Sequence, residues 1–268
     1  MANGVHQFKL HFLRENREEF LHPYVFRGFF LKMLEDISPR TATKLHDAQQ
    51  IKPYAIQYQF RDPEIILHIN VFEQGIAKQF YTYLLGLEDT SINLGKTACT
   101  LYHVKQESNE LSKFLLNSNS LDKFIIEFKT PTYLRSLTHD FHIKFPLPGL
   151  VLKNLAQSWN EFAGSQIQID LDPFVSWAAT CIEASSFSGQ TKPMTIKKGL
   201  RVSGFQGWVK YRIHPSSHGN DEHGETAGFS RWLDCLLRLG EFTNVGGNRT
   251  MGMGIIKYKP FYKRNLPK

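Results

Sequence analysis

The chain has 268 residues, 41% of them hydrophobic, which is enough for one large domain or two of ordinary size, each with a real core. Lys and Arg outnumber Asp and Glu 32 to 25, and the formal charge of +7 favours a polyanion such as nucleic acid as partner. Three widely spaced cysteines, Cys99, Cys181 and Cys235, form neither a disulfide framework nor a paired zinc motif, so a reducing interior fits.

The opening MANGVHQFKLHFLREN interrupts its apolar residues with polar ones, unlike a signal peptide, and no run approaches the roughly 20 apolar residues of a membrane span. A cytoplasmic protein without a membrane partner is expected. Within that opening, residues 5–13 alternate apolar with polar and predict a strand open to water on one face. Residues 24–37 have helical spacing, with Val25, Phe29 and Met33 on one side, and a short second helix follows Pro39 and carries His46 near its end. Two extended stretches, 52–60 and 64–72, are joined through Arg-Asp-Pro, a turn of hairpin length. A helix over 74–86 and a strand over 97–106 complete the order βαββαβ, the split pattern of a ferredoxin-like domain.

The polar run 106–123 reads as a linker. Beyond it the order repeats: a strand from 123 ending at Pro131, a helix over 148–164, strands over 176–190 and 199–213, a helix over 228–240 and a last strand over 251–260. The predicted organisation is α+β, two tandem ferredoxin-like domains over 1–108 and 122–268 with 109–121 between them. Five glycines fall within 240–258, forming a glycine-rich loop that runs into the final strand.

Tandem βαββαβ units, the segment FIIEFKTPTYLR opening the second, and a glycine-rich loop entering its last strand together resemble the CRISPR-associated endoribonucleases of the RAMP superfamily. These enzymes cut repeat-derived precursor RNA into guide RNAs. The loop pattern of that family is Gly-x-Gly, five residues, Gly-x-Gly. Here Gly246, Gly252 and Gly254 fill three positions and Asn244 the first, asparagine being the residue after glycine that best tolerates the left-handed region. Clustered glycines alone commonly shape a turn. Their position, with Gly247, Asn248 and Arg249 beside them, favours contact with RNA, backbone N–H groups approaching phosphates.

RNA cleavage without a metal needs activation of a 2′-hydroxyl, a proton for the departing 5′-oxygen and a cation for the phosphorane. His46 ends a short helix, where the helix terminus and Asp47 favour its protonated form, and Lys52 begins the next strand six residues on. The resemblance implies that His46 and Lys52 are catalytic, that no cofactor or metal takes part, and that the products carry 2′,3′-cyclic phosphate and 5′-hydroxyl ends. A tyrosine completes the site in part of the family; that position here is Leu31, while Tyr24 lies two turns away, roughly 10 Å. Tyr54 is expected on the alternate face of its strand. The implied site is therefore His and Lys alone, slow or silent, and the other reading is a non-catalytic RNA-binding subunit of an effector complex. Partners are CRISPR repeat RNA or processed guide RNA, with other effector subunits or a second copy compatible with either reading.

Lys192, Lys197, Lys198 and Arg201 bridge two predicted strands, as a hairpin lying on the phosphates of an RNA stem or as a solvated loop. His214, His218, Asp221, Glu222 and His223 lie within one short stretch, but interleaved Gly, Ser and Pro favour a surface loop over a metal site. Phe8, Phe12, Tyr58 and Phe60 would stack on bases if they faced outward, core packing being the ordinary alternative. The loop lies in the second domain and His46 in the first, so RNA would have to bridge both halves.

Overall fold

Strand β1 (Gly4–Arg14) buries Phe8, Leu10 and Phe12 completely, while Lys9, His11 and Leu13 take the opposite face, as the alternation predicts. The computed structural model describes residues 4–15, 21–47, 51–136, 141–164, 167–214 and 225–262, the side chains of residues 44, 46, 47 and 225–227 excepted. After β1 come α1 (Pro23–Ile37), α2 (Pro39–Asp47), β2 (Tyr54–Arg61), β3 (Glu64–Val71), α3 (Gln74–Leu85), β4 (Thr90–Leu94) and β5 (Thr97–Glu110). The sheet order is β2-β3-β1-β5-β4, with every neighbouring pair antiparallel. With the short edge strand β4 set aside, this is the fourth-first-third-second order of a ferredoxin-like sheet.

Helices α1 and α3 supply the aromatic side of the core. Phe80 meets Phe8 edge-on at 4.9 Å and Phe30 at 5.1 Å, geometries that suit the ring quadrupoles. Pro23 opens α1, where a missing N–H costs nothing.

Then follow α4 (Leu111–Leu116), β6 (Leu121–Thr132), β7 (Leu134–Arg135), β8 (His142–Ile143), α5 (Pro148–Ala163), α6 (Leu171–Cys181), β9 (Ile182–Lys197), β10 (Leu200–Ile213), α7 (Glu225–Thr243) and β11 (Ile256–Tyr262). The second sheet runs β11-β6-β10-β9, again fourth-first-third-second, so both sheets are ferredoxin-like. Trp159 of α5 is fully buried, its indole N–H donating to the Ile167 carbonyl at 2.7 Å and its ring edge-on to Trp232 at 5.2 Å.

Several elements differ from the sequence reading. The strand expected from residue 176 begins only at Ile182, because Phe174, Trp177 and Ala178, spaced three and four apart, bury one face of α6. The polar linker is structured: β5 continues to Glu110, and α4 fills the gap before Asn119, whose N–H donates to the buried Asp234 at 2.9 Å. The strand β4 pairs with β5 as an unforeseen hairpin.

The chain separates into two compact units whose boundaries do not follow sequence order. The first holds residues up to Glu110 together with Thr195–Val202 and Asn248–Gly252; the second holds Leu111–Met194, Ser203–Gly247 and the residues from Met253 onward. No described helix is long and apolar enough to cross a membrane.

His68 lies on the face of the first sheet opposite α1 and α3. Burial first, then the neighbouring Lys9 and His11, push its imidazole down to about 4. A histidine depressed on folding adds stability that is present above its unfolded pKa near 6.5 and is lost as pH falls toward 4, here up to about 3 kcal/mol before solvent screening. Between pH 7 and pH 4.5 the parent should therefore lose more stability to denaturant than His68→Gln does. Parallel pH curves for the two proteins would refute this account.

Candidate functional site

The last turn of α2 carries His46, whose side chain lies outside the described residues. The Lys52 ammonium donates to the Leu45 carbonyl oxygen at 2.7 Å, within the peptide that joins Leu45 to His46. The final carbonyls of a helix lack intrahelical partners, and a cation there also opposes the negative end of the helix dipole. Lys52 therefore fixes the turn bearing His46 beside the entry to β2, and the two residues predicted to act together are neighbours through the backbone.

Two residues beyond Lys52, Tyr54 is 1% exposed. Arg27 of α1 donates through Nε to its hydroxyl at 3.4 Å, and Thr250, on the turn that packs against β2, also acts on it. Burial raises the Tyr54 pKa while Arg27 and Thr250 oppose the rise. Leu31, four residues after Arg27 and so on the same helix face, packs partly buried against the core. Arg27 and Thr250 escaped the sequence reading. Helical periodicity from Leu31 was signal enough for Arg27; nothing local pointed to Thr250.

Sequence order assigns Lys197, Lys198, Arg201, Asn248, Arg249 and Gly252 to the second half, apart from His46. In the structure all six belong to the first unit, with His46 and Lys52. The tip of the β9–β10 hairpin brings Lys197 over the Tyr24 ring at 5.9 Å, a cation–π distance. Residues Arg249–Met251 form one turn of 3-10 helix that packs on β2 and α1. Arg249 is half-buried, and burial pushes its guanidinium down to about 10, so it stays charged at neutral pH. Lys192, Asn244, Gly246, Gly247 and Gly254 remain in the second unit.

The glycine loop is closely packed and its amides are engaged. Gly246 N–H donates to Asn154 Oδ1 at 2.8 Å, Gly247 N–H to the Tyr133 carbonyl at 3.1 Å, and Gly254 N–H to the Pro131 carbonyl at 3.2 Å. Gly252 N–H reaches the Arg249 carbonyl at 3.4 Å. Glycine at 252 and 254 answers steric need: both have φ above +70°, and a Cβ would collide with the Tyr58 ring at 252 and with the Val245 carbonyl at 254. Asn244, standing where the family pattern has glycine, has φ 57°. The loop thus presents side chains and carbonyls, not a row of open amides, to a ligand.

Of the four aromatics weighed for stacking, Phe8 and Phe12 are core and Tyr58 packs against it; Phe60 is 47% exposed. His214 pairs with Glu183 at 3.2 Å, and His218, Asp221, Glu222 and His223 lie outside the described residues. Among the described residues no three His, Cys, Asp or Glu side chains are grouped to hold a metal ion.

The sequence profile of the family "CRISPR-associated endoribonuclease Cas6" matches residues 126–256, from β6 through the glycine loop. The Cas6 of Streptococcus thermophilus is 20% identical over 234 residues, 87% of this chain and 89% of that protein. This chain is similar to the Cas6 family of CRISPR-associated endoribonucleases. The Cas6 of Mycobacterium tuberculosis is 28% identical over 162 residues, 59% of this chain; the match spans about half of that relative, 46% of its length. The solved Thermus thermophilus Cas6 has a TM-score of 0.72 at 19% identity and covers 97% of this chain and 100% of its own. A Cas6 product complex scores 0.77 at 20% identity, with the same coverage. These structures establish the Cas6 double ferredoxin-like fold. The profile match leaves out His46 and Lys52, so their roles rest on local geometry and spacing.

Proposed function

We propose that this chain cleaves CRISPR repeat RNA without a metal, as a Cas6-like enzyme, His46 exchanging the protons while Lys52 and Arg27 meet the phosphate charge. The 2′-hydroxyl attacks the adjacent phosphorus and yields its proton to a base, the O2′–P bond forms, the P–O5′ bond breaks, and the departing oxygen is protonated. The products are a 2′,3′-cyclic phosphate and a 5′-hydroxyl. The observation carrying this reading is the Lys52 contact at the peptide preceding His46, which keeps a cation beside the one histidine on that turn. Arg27, a turn before Leu31 and anchored on the Tyr54 hydroxyl, supplies a cation near the helix position where part of the family has a tyrosine and this chain has Leu31. RNA contact falls to Asn248, Arg249, Lys197, Lys198 and Arg201 in the first unit, and to Lys192 and the Asn244–Gly254 loop in the second.

A second reading keeps RNA binding and drops the chemistry: a subunit that retains processed guide RNA, alone, as a homodimer or among other effector subunits. Leu31 favours it, since that side chain is committed to packing. Incubating the protein with its repeat RNA in EDTA separates the two. Cleavage that persists and leaves cyclic phosphate ends supports the enzyme; cleavage abolished by EDTA refutes the metal-free route, and tight binding without cleavage selects the second reading.

A further inference from the structure

In the second unit a cavity of about 330 Å³ opens between β7, α5 and the start of the glycine loop. Arg135, Ser136, Lys153, Gln157 and the Gly246–Gly247 backbone line it, and among the described residues no carboxylate does. Lys153 and Gln157 are four residues apart on α5, one turn, so both project from one helix face. Arg135 ends β7, whose pairing with β8 holds its backbone. Neither Arg135 nor Lys153 is in an ion pair among the described residues. Asn154 is fixed by accepting the Gly246 N–H, which attaches the cavity wall to the glycine loop.

Two cationic and two neutral polar residues lining a space of this size suit an anion with several acceptor oxygens, of which a phosphodiester is the one a basic RNA-binding chain would meet. We infer that this cavity holds a backbone phosphate of the bound RNA, with Arg135 and Lys153 as its cations. The inference rests on the RNA-binding reading above and gives the glycine loop a second role, in which its close packing shapes one wall of a phosphate site while its own amides stay internally bonded. None of its lining residues is among those assigned to the chemistry, so it is assigned to holding RNA and not to the chemical step.

The test is the salt dependence of repeat-RNA binding by the full chain, followed by fluorescence anisotropy. Losing one neutralised phosphate should make the slope of log K against log salt shallower by about 0.7–0.9. The double variant Arg135→Gln, Lys153→Gln should show that change, with about tenfold weaker binding and a cleavage rate at saturating RNA within about twofold of the parent. The charge-keeping double variant Arg135→Lys, Lys153→Arg should retain the parental slope and controls for folding. Parental slope and affinity in the first double variant would overturn the inference while leaving RNA binding standing. Absence of RNA binding by the parent would overturn both. An arm with adenosine monophosphate identifies the source of the phosphate: a mononucleotide that stabilises the parent and not the double variant would replace the RNA-backbone assignment.

Discussion

Changing His46 to alanine is expected to slow single-turnover cleavage of repeat RNA by about 10²–10⁴-fold, the usual loss when a positioned proton donor or acceptor is removed, with affinity changed by about twofold at most. Lys52 should behave differently, because it has a structural partner. Lys52→Met removes a cation from the reaction and leaves the Leu45 carbonyl unpaired, so it should lower both the rate and the folding stability, the latter by about 1 kcal/mol. Lys52→Arg retains a donor for that carbonyl and should recover the stability more fully than the rate, since an arginine does not place its charge where an ammonium did. Arg27→Met completes the comparison: its loss should reduce the rate without the stability cost of losing a helix cap. Denaturant curves alongside rapid-quench rates separate these outcomes. A His46→Ala protein that folds and cleaves like the parent removes His46 from the mechanism, and a Lys52→Met protein that loses stability alone reduces Lys52 to a cap.

Much of the fold was legible because both signals that specify it are local. Alternation in β1 and β6, and helical spacing in α1, α3 and α5, reflect which side of each element is buried, and burial repeats every two or every three to four residues. The start of β9 was misread because Thr180 and Cys181 stand before Ile182 in a sequence of strand-favouring residues, and only the packing of Phe174 and Trp177 shows the helix. The site was half legible. His46 and Lys52 are six residues apart, so spacing alone brings them together, whereas Thr250 meets Tyr54 across almost two hundred positions. That pairing depends on the Asn248–Gly252 turn crossing into the first unit, a feature of tertiary contact with no local pattern.

Gly252 provides the sharper test of what the loop does. Substitution by alanine is expected to destabilise the protein by about 2–3 kcal/mol: about 1–2 from forcing a side chain into the left-handed region at φ 74°, the rest from displacing the Tyr58 ring. If the glycine were there to let RNA approach, the loss would appear in affinity and would not depend on Tyr58. If it is there for packing, Gly252→Ala and Tyr58→Ala should be coupled, because removing the ring removes the collision. The double variant should then be less destabilised than the sum of the two single variants by about 1 kcal/mol or more, well outside the additivity of independent sites. Part of the cost should persist even then, since the φ strain belongs to the backbone and not to Tyr58. Additive losses, with RNA affinity falling in the Gly252→Ala protein alone, would return the glycine to the RNA. Coupled losses would mean that this turn meets RNA through Asn248 and Arg249, held in place because Gly252 lets the turn lie against β2.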